Sequence, residues 1–525
     1  MSRCVAFKAL CNNSTGWFMR AGNLRSLLIS TVALMASGCV LHPVPLGENE
    51  LNDAAWRNQQ RVTADQEALG KSIDLYEAMA RALKYNLDHR VEIAEQSVRR
   101  GELDLSHFSL LPNAVANSGY AVRDNFNASS SFNLTNNVQN FSESTSQERR
   151  IGSADIGFSW NILDFGLSYV RARQSADKVL VQEELRRKVM HRIVEDVRSA
   201  YWRAVSTERL MQRLRSLEGE TKTALDETRA LYSSRQTSPI TALTYERELV
   251  EIKQKIGEIQ RDLNTAKAQL AALMNIGPET EFAIARNDRD KGNLELQAGL
   301  KDMISTALFN RPELREVEYR LRINEHEADA ALLELLPGLQ TYAGTNYDSN
   351  DFLLNAQWLN WGARASWNLI KVFNYPARRA VVERQDELLK TRGLALTMAV
   401  MTQVHVSRIR FLHARKELAT AAEYSEVQTR LVQQMRTEAA ADRISKQTLI
   451  REEMNTLVAD ARHDIAYATL QNAYANLFSS MGLDPYSWEI DREQSVGSLA
   501  KQLRELWLER GDVSAGWSKR MAAAK

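Results

Sequence analysis

Asp164-Phe165-Gly166 is spelled like the metal loop of protein kinases, whose aspartate holds a magnesium ion. Phosphoryl transfer also needs a Gly-rich loop over the phosphates and a His-Arg-Asp catalytic loop, and the chain has neither, so the triplet reads as a turn between structural elements. The eight histidines are scattered. His405 and His413 stand too far apart on one predicted helix to share a metal ion, and His326 with Asp329 is one helical pair, short of the ligand set a zinc site requires. Met398 and Met401 share a helix face, but two thioethers make no soft-metal ladder. Neither a P-loop nor a nucleophile motif occurs, so the chain is expected to be no enzyme, to need no cofactor and to power nothing by itself.

The remaining reactive side chains are thiols. Cys4, Cys11 and Cys39 all lie in the first 39 residues, so the rest of the chain can form no disulfide. The apolar core of residues 27–36 follows Arg20 and Arg25 and ends at Ala36-Ser37-Gly38-Cys39. That order predicts a secretory signal peptide over 1–38, too short to stay as a membrane span. Small residues directly before a cysteine resemble the bacterial lipobox, which makes Cys39 the expected site of lipid (palmitate-type) attachment, against the plainer reading of an ordinary cleavage site with an incidental cysteine. The resemblance implies that an aspartate after the cysteine would retain the product at the inner membrane; Val40 stands there, pointing to the outer one. Met19-Arg20 makes a more ordinary start than the long polar stretch before it, so residues 1–18 read as a misplaced translation start.

The elements that follow are of two kinds. With 67 basic and 66 acidic residues the net charge is +1, and no basic field argues for nucleic acid. Nine prolines and 23 glycines in 525 residues leave room for very long helices. Within that helical text, residues 154–162 and 361–369 alternate like strands. In the first, Ile156, Phe158, Trp160 and Ile162 share one face and Asp155, Asn161 and their polar neighbours the other. In the second, Trp367 and Leu369 fall on one side and Arg364 and Asn368 opposite. Each spans about nine residues, enough to cross a bilayer at barrel tilt, although the edge of a soluble sandwich would alternate identically.

The order helix, strand, strand, long helix, helix and stop occurs twice. Leu110-Leu111-Pro112-Asn113 leads into a strand at about 114–122, and Leu335-Leu336-Pro337-Gly338 into one at about 339–347. Met274-Asn275-Ile276-Gly277-Pro278 and Met481-Gly482-Leu483-Asp484-Pro485 end the copies. The expected organisation is a lipid-anchored segment over 39–72, one repeat over 73–295 with a helical hairpin at 167–276, a second over 296–485 with a hairpin at 377–482, and a tail over 486–525 with a short amphipathic helix. Residues 125–149 read as a long polar loop without periodicity. Leu210, Leu214, Leu217, Thr221, Ala224, Thr228 and Leu231, and then Leu249, Ile252, Ile256, Ile259, Leu263, Ala266, Leu270 and Leu273, keep heptad spacing. Ile450, Met454, Leu457, Ala461 and Ala468 keep a looser one. The helices must reverse near 233–239 and 438–445.

Together the lipobox, the duplicated unit, Trp160-Asn161-Ile162-Leu163-Asp164-Phe165-Gly166 and the twin stops resemble TolC-type outer-membrane factors over roughly residues 73–485. The resemblance implies a mainly α fold with a membrane β-barrel portion: a trimeric twelve-stranded barrel continued by a long coiled α-helical periplasmic barrel. It implies a homotrimer among outer-membrane lipids that serves, with a periplasmic adaptor (membrane fusion) protein, an inner-membrane RND or ABC transporter, as the exit duct of a tripartite efflux pump or type I secretion system. Ile156, Phe158, Trp160, Ile162, Trp367 and Leu369 would then face lipid, and Asp155, Asn161, Arg364 and Asn368 the lumen. Arg235, Thr241, Asp442, Arg443 and Thr448 would lie at a gated periplasmic tip, where Thr241 and Thr448 stand at the position some members fill with an acidic ring. The second strand-to-helix junction, Lys371-Val372-Phe373-Asn374-Tyr375-Pro376, departs from the family pattern. The rival expectation is a coiled-coil scaffold lipoprotein of the cell envelope with no pore.

Overall fold

The computed structural model describes residues 45–511, except 236, 237, 278, 286–297, 442 and 484–493, and omits the side chains of 162–164, 207 and 507–511. It divides at Ala64. The first unit contributes one exposed helix, α1 (Glu48–Val62), whose entry is closed by Glu50 accepting from the Gly47 amide at 2.9 Å.

In the second unit the element order repeats with nearly equal lengths. The first copy runs α2 (Leu75–Tyr85), α3 (Leu87–Phe108), β1 (Asn113–Val122), β2 (Ala128–Asn133), β3 (Val138–Thr145), β4 (Arg150–Asn161), α4 (Ile162–Ser233) and α5 (Pro239–Leu273). The second runs α6 (Leu300–Asn310), α7 (Pro312–Leu333), β5 (Gly338–Asp348), β6 (Gln357–Ser366), α8 (Ile370–Ala440) and α9 (Lys446–Ser480), and α10 (Val496–Gly511) follows. The paired helices measure 11 and 11, 22 and 22, 72 and 71, and 35 and 35 residues, so the duplication is preserved to within one residue along each of them.

Local chemistry sets the helix ends. Asp74, Asn86 and Ser445 accept backbone N–H bonds at the starts of α2, α3 and α9, and proline opens α5 and α7, where a missing N–H costs nothing. At the stops, Asn275 and Gly482 occupy the same left-handed position (φ 58° and 68°). The amides of Ile276 and Leu483 reach back to the carbonyls of Ala271 and Phe478 at 2.9 and 3.1 Å, so both helices end in a Schellman turn. A Cβ on Gly482 would come within 2.7 Å of Asn310 backbone, so only glycine fits against the α6–α7 corner.

Each long helix changes partners halfway. The first half of α4 lies antiparallel to α7, as shown by Arg171 with Glu327, Asp177 with Arg322, and Glu184 with Arg315. Its second half packs on α5 and α9: Leu210, Leu214, Leu217 and Ala224 interlock with Leu249, Ile252, Ile256, Leu263, Ile450, Met454 and Leu457. Thr221 and Thr228 are buried in that seam because their hydroxyls donate to the carbonyls of Leu217 and Ala224, at 2.6 and 2.7 Å. Leu231, the last heptad position, is exposed. At the changeover, α2, α10 and the parallel bridge between Ile73 and Ile284 cover the middle of α4, with Met79, Leu83, Ile193 and Tyr201 almost wholly buried. On the other copy, Met303 and Ala307 of α6 cover Val400, Val404 and Phe411 of α8.

The sheet order is β1-β4-β5-β6, antiparallel throughout, so within one chain the sheet is open and β1 and β6 are its edges. A closed ring of twelve strands is not contained in a single chain. Two differences from the sequence expectation have clear causes. Residues 125–149 are not a structureless loop: β2 and β3 form a separate hairpin whose Ser- and Asn-rich strands pair through backbone bonds, with Asn137 at φ 50° in its turn. The helices also begin earlier than 167 and 377, at Ile162 and Ile370, so Asp164-Phe165-Gly166 lies in the first turns of α4 and Pro376 inside α8. A proline two turns into a helix deprives only one early carbonyl of its partner, which an exposed helix start tolerates.

Candidate functional site

Register sorts the sheet into two faces, since directly paired residues point the same way. Ala154 pairs with Tyr347, Ile156 with Thr345, Phe158 with Ala343 and Trp160 with Thr341, and the same row continues to Leu359, Trp361 and Ala363 on β6 and to Ala114 and Ala116 on β1. This face is apolar across all four strands and uncovered: Ile156 and Phe158 are more than half exposed and Trp361 is 85% exposed. A continuous apolar face of this kind has no protein to bury it within the chain.

The opposite face carries Asn117, Asp155, Asn161, Gln340, Asn346, Asn360 and Arg364. Asn117 donates to Asp155 at 2.9 Å and Asn346 to Asn360 at 3.0 Å, cross-linking the strands through side chains. Tyr342 lies across Gly362, where a Cβ would meet its hydroxyl at 2.6 Å, so glycine gives the ring its seat. Ile162 has its side chain outside the described residues. Trp367, Asn368 and Leu369 lie beyond the end of β6 rather than on a strand face: the Trp367 indole donates to the Leu335 carbonyl at 2.9 Å, and the Asn368 side chain accepts from the Ile370 amide at 3.1 Å. These bonds fix the strand-to-helix corner.

Below that corner a charged cluster joins three helices. Arg171 of α4 and Arg378 of α8 both grip Glu327 of α7 and Glu334 just past its end, and Gln174 adds a bond to Glu327 at 3.1 Å. Burial pushes the Glu327 carboxyl up, but the bonds from Arg171, Gln174 and Arg378 outweigh it and hold the group below the usual glutamate range. His326 is buried beside Asp177 (3.7 Å) and Asp329 (3.8 Å), within this helix-joining set. Among the described residues no group of three or more His, Cys, Asp or Glu could hold a metal ion, and no described helix is long and apolar enough to cross a membrane.

The structure is similar to that of the Campylobacter jejuni CmeC outer membrane channel, with a TM-score of 0.62 and 12% identity over 85% of this chain and 95% of that one. It is similar to the outer-membrane channel OprN (0.60, 15%, 79% and 90%) and to the open state of the Neisseria gonorrhoeae MtrE outer membrane channel (0.59, 15%, 78% and 89%). The chain has the TolC-type outer-membrane factor fold. No family model and no curated protein matches the sequence.

In this TolC-type fold the two helix reversals sit side by side. Lys446 at the start of α9 lies 3.7 Å from Glu227 near the end of α4, and Arg451 lies 3.8 Å from Glu248 of α5. Both reversals are a whole long helix away from the sheet, roughly 110 Å for α4. Arg235 is exposed and left-handed (φ 55°), which a residue with a Cβ adopts at a cost of about 1–2 kcal/mol. Arg443 is exposed and pairs with Glu438 of its own hairpin at 3.4 Å. Thr241 is exposed in the first turn of α5, and Thr448 donates its amide to Ser445 at 3.2 Å as part of a helix cap. Cys39 and Asp442 lie outside the described residues. Sequence reasoning missed Asn350, which is 5% exposed. It donates to the Ser146 carbonyl at 3.0 Å and accepts from the Glu148 amide at 3.1 Å, fastening the base of the β2–β3 hairpin to the β5–β6 turn. Asp348-Ser349-Asn350-Asp351 was its only signal, a cluster of turn formers.

Proposed function

We propose that three copies of the chain form an outer-membrane channel that serves as the exit duct of a tripartite efflux pump or type I secretion system. One observation carries this reading: a four-stranded sheet with one apolar face and two unpaired edges stands at the end of two matched helical hairpins. Lipid cannot satisfy the backbone of a sheet edge, so such a sheet is stable in a bilayer only when closed. Pairing β1 of each copy with β6 of the next, antiparallel like every other pair, closes four strands from each of three copies into a ring of twelve. Ile156, Phe158 and Trp160 then face lipid, and Asp155, Asn161 and Arg364 line the lumen. Ile162, Trp367 and Leu369, with Asn368, belong to the rim where barrel becomes helix.

The helices extend the barrel into a periplasmic tunnel. Conduction is passive, and a closed tip at the adjacent reversals opens when a periplasmic adaptor binds the open arrangement better than the closed one. Energy comes from an inner-membrane transporter of the RND or ABC class, because the chain has no nucleotide-binding motif. Cys39 carries lipid after removal of 1–38. The likeness to CmeC, OprN and MtrE, described as outer-membrane channels, supports the reading.

The test is conductance of the purified protein in planar bilayers together with its migration in SDS gels before and after heating. Discrete channels and a heat-dissociable trimer are expected; a scaffold lipoprotein shows neither. Mass spectrometry of the mature N-terminus tests the anchor, and an unmodified Cys39 overturns that part alone.

A further inference from the structure

The β2–β3 hairpin and the β5–β6 turn leave the same end of the sheet, and each carries a few large apolar side chains that stand exposed among polar neighbours. Phe132 pairs with Gln139, Leu134 follows in the turn, and Phe141 stands where the β2–β3 register shifts between Asn140 and Ser144. Phe141 is 80% and Leu134 86% exposed, and Phe126 at the hairpin's foot is 60% exposed with Arg149 stacked on its ring at 4.9 Å. The β5–β6 turn holds Phe352, Leu353 and Leu354, the last fully exposed. The hairpin is not a loose loop. Arg123 donates to the Arg149 carbonyl at 2.8 Å, extending the β1–β4 ladder, and Asn350 locks the base.

We propose that the exposed apolar side chains of these two protrusions clasp each other between neighbouring copies: Phe126, Phe132 and Phe141 of one copy seat against the 352–354 turn of the next. The inference rests on the closed ring proposed above and adds a contact that the ring does not require. The hairpin joins β1 to β4 and the turn joins β5 to β6, so the two protrusions meet at their bases above the β4–β5 pair while the hairpin also reaches the β1 edge and the turn the β6 edge. Closing the ring brings β1 beside the neighbour's β6 and therefore brings the hairpin beside the neighbour's turn. Residues 125–142 contain no charged side chain, so the charges nearest the contact are Arg149 on the Phe126 ring and Asp351 beside the turn, which are of opposite sign.

Cysteine pairs test it in the full-length protein assembled in outer membranes: Phe126→Cys with Leu354→Cys, and Phe132→Cys with Leu354→Cys, each oxidised and then boiled without reductant. A covalent ladder ending at three chains is expected from at least one pair and from none of the single-cysteine controls. Unheated samples report the ring independently. An SDS-resistant trimer with no interchain link from either pair overturns the clasp and leaves the ring standing, as would follow if these side chains rest in lipid. A link confined to single chains also overturns the clasp. Absence of both link and SDS-resistant trimer overturns the ring, and the clasp with it.

Discussion

Glu184 shows what burial does to a single group in this molecule. Its side chain is 1% exposed, and despite Arg187 at 2.7 Å and Arg315 at 3.7 Å, burial pushes its carboxyl above the usual glutamate range. A raised carboxyl pKa means that the folded chain holds a proton which the unfolded chain has already released. Stability is therefore fully present at or below the ordinary glutamate range and declines as pH rises through the raised value. Glu184→Gln should flatten the fall in melting temperature between pH 5 and pH 8; parallel curves for variant and parent would rule out Glu184 as its source. Glu327 carries the opposite sign, since its bonded carboxylate loses its contribution as pH falls. Neither behaviour was legible in the sequence, because Glu184 is governed by its burial in the folded chain and Glu327 by Arg171 and Arg378 from other helices, far away along the chain. Face assignment within a strand was legible: Asp155, Asn161 and Arg364 share a face because alternation is a local property. Trp367 was not, because its place is decided by the carbonyl of Leu335 across a corner.

At the scale of elements, the heptad seam makes a quantitative claim. Leu214 is fully buried between α4, α5 and α9, so Leu214→Ala should cost about 2–5 kcal/mol, measured as a fall in the denaturation midpoint; Leu231→Ala, at the exposed end of the same stripe, should cost far less. On the sheet, Phe158→Arg sets a charge on the apolar face and should cost roughly 2–4 kcal/mol near a bilayer midplane, whereas Arg364→Gln on the opposite face should assemble normally. Equal loss of outer-membrane assembly in both would refute the inside-outside assignment. The long helices and four main strands were readable because apolar spacing specifies them over many residues. The β2–β3 hairpin was not, since serine and asparagine strands carry no apolar period and pair only by backbone. Helix starts were misplaced for a related reason: an apolar residue such as Ile162 fits the last step of a strand and the first of a helix equally well.

For the whole molecule, duplication was visible as repeated text, whereas the twelve-stranded ring was expected from the family resemblance alone, and the unpaired edges that argue for it exist only once strand order is known. Adjacency of the two reversals puts the remaining prediction at the far end. If Arg235 and Arg443 help hold the tip shut, Arg235→Ala and Arg443→Ala should raise single-channel conductance and sensitivity to a large antibiotic such as vancomycin without lowering the melting temperature; unchanged values in both would move the gate elsewhere along the helices. The equal lengths of the paired helices carry a last implication, about how such a molecule can change size. Adding one residue to α4 turns everything beyond it by about 100° and carries its seam away from α5 and α9, so single insertions are barred there. Seven residues restore the seam but lengthen one helix by about 10 Å, and its partners must grow by the same step. The reach of this protein is therefore available only in increments of about 10 Å, taken by α4, α5, α8 and α9 together, and in the proposed duct a wider or narrower gap between two membranes would have to be met by whole heptads or by the proteins at either end.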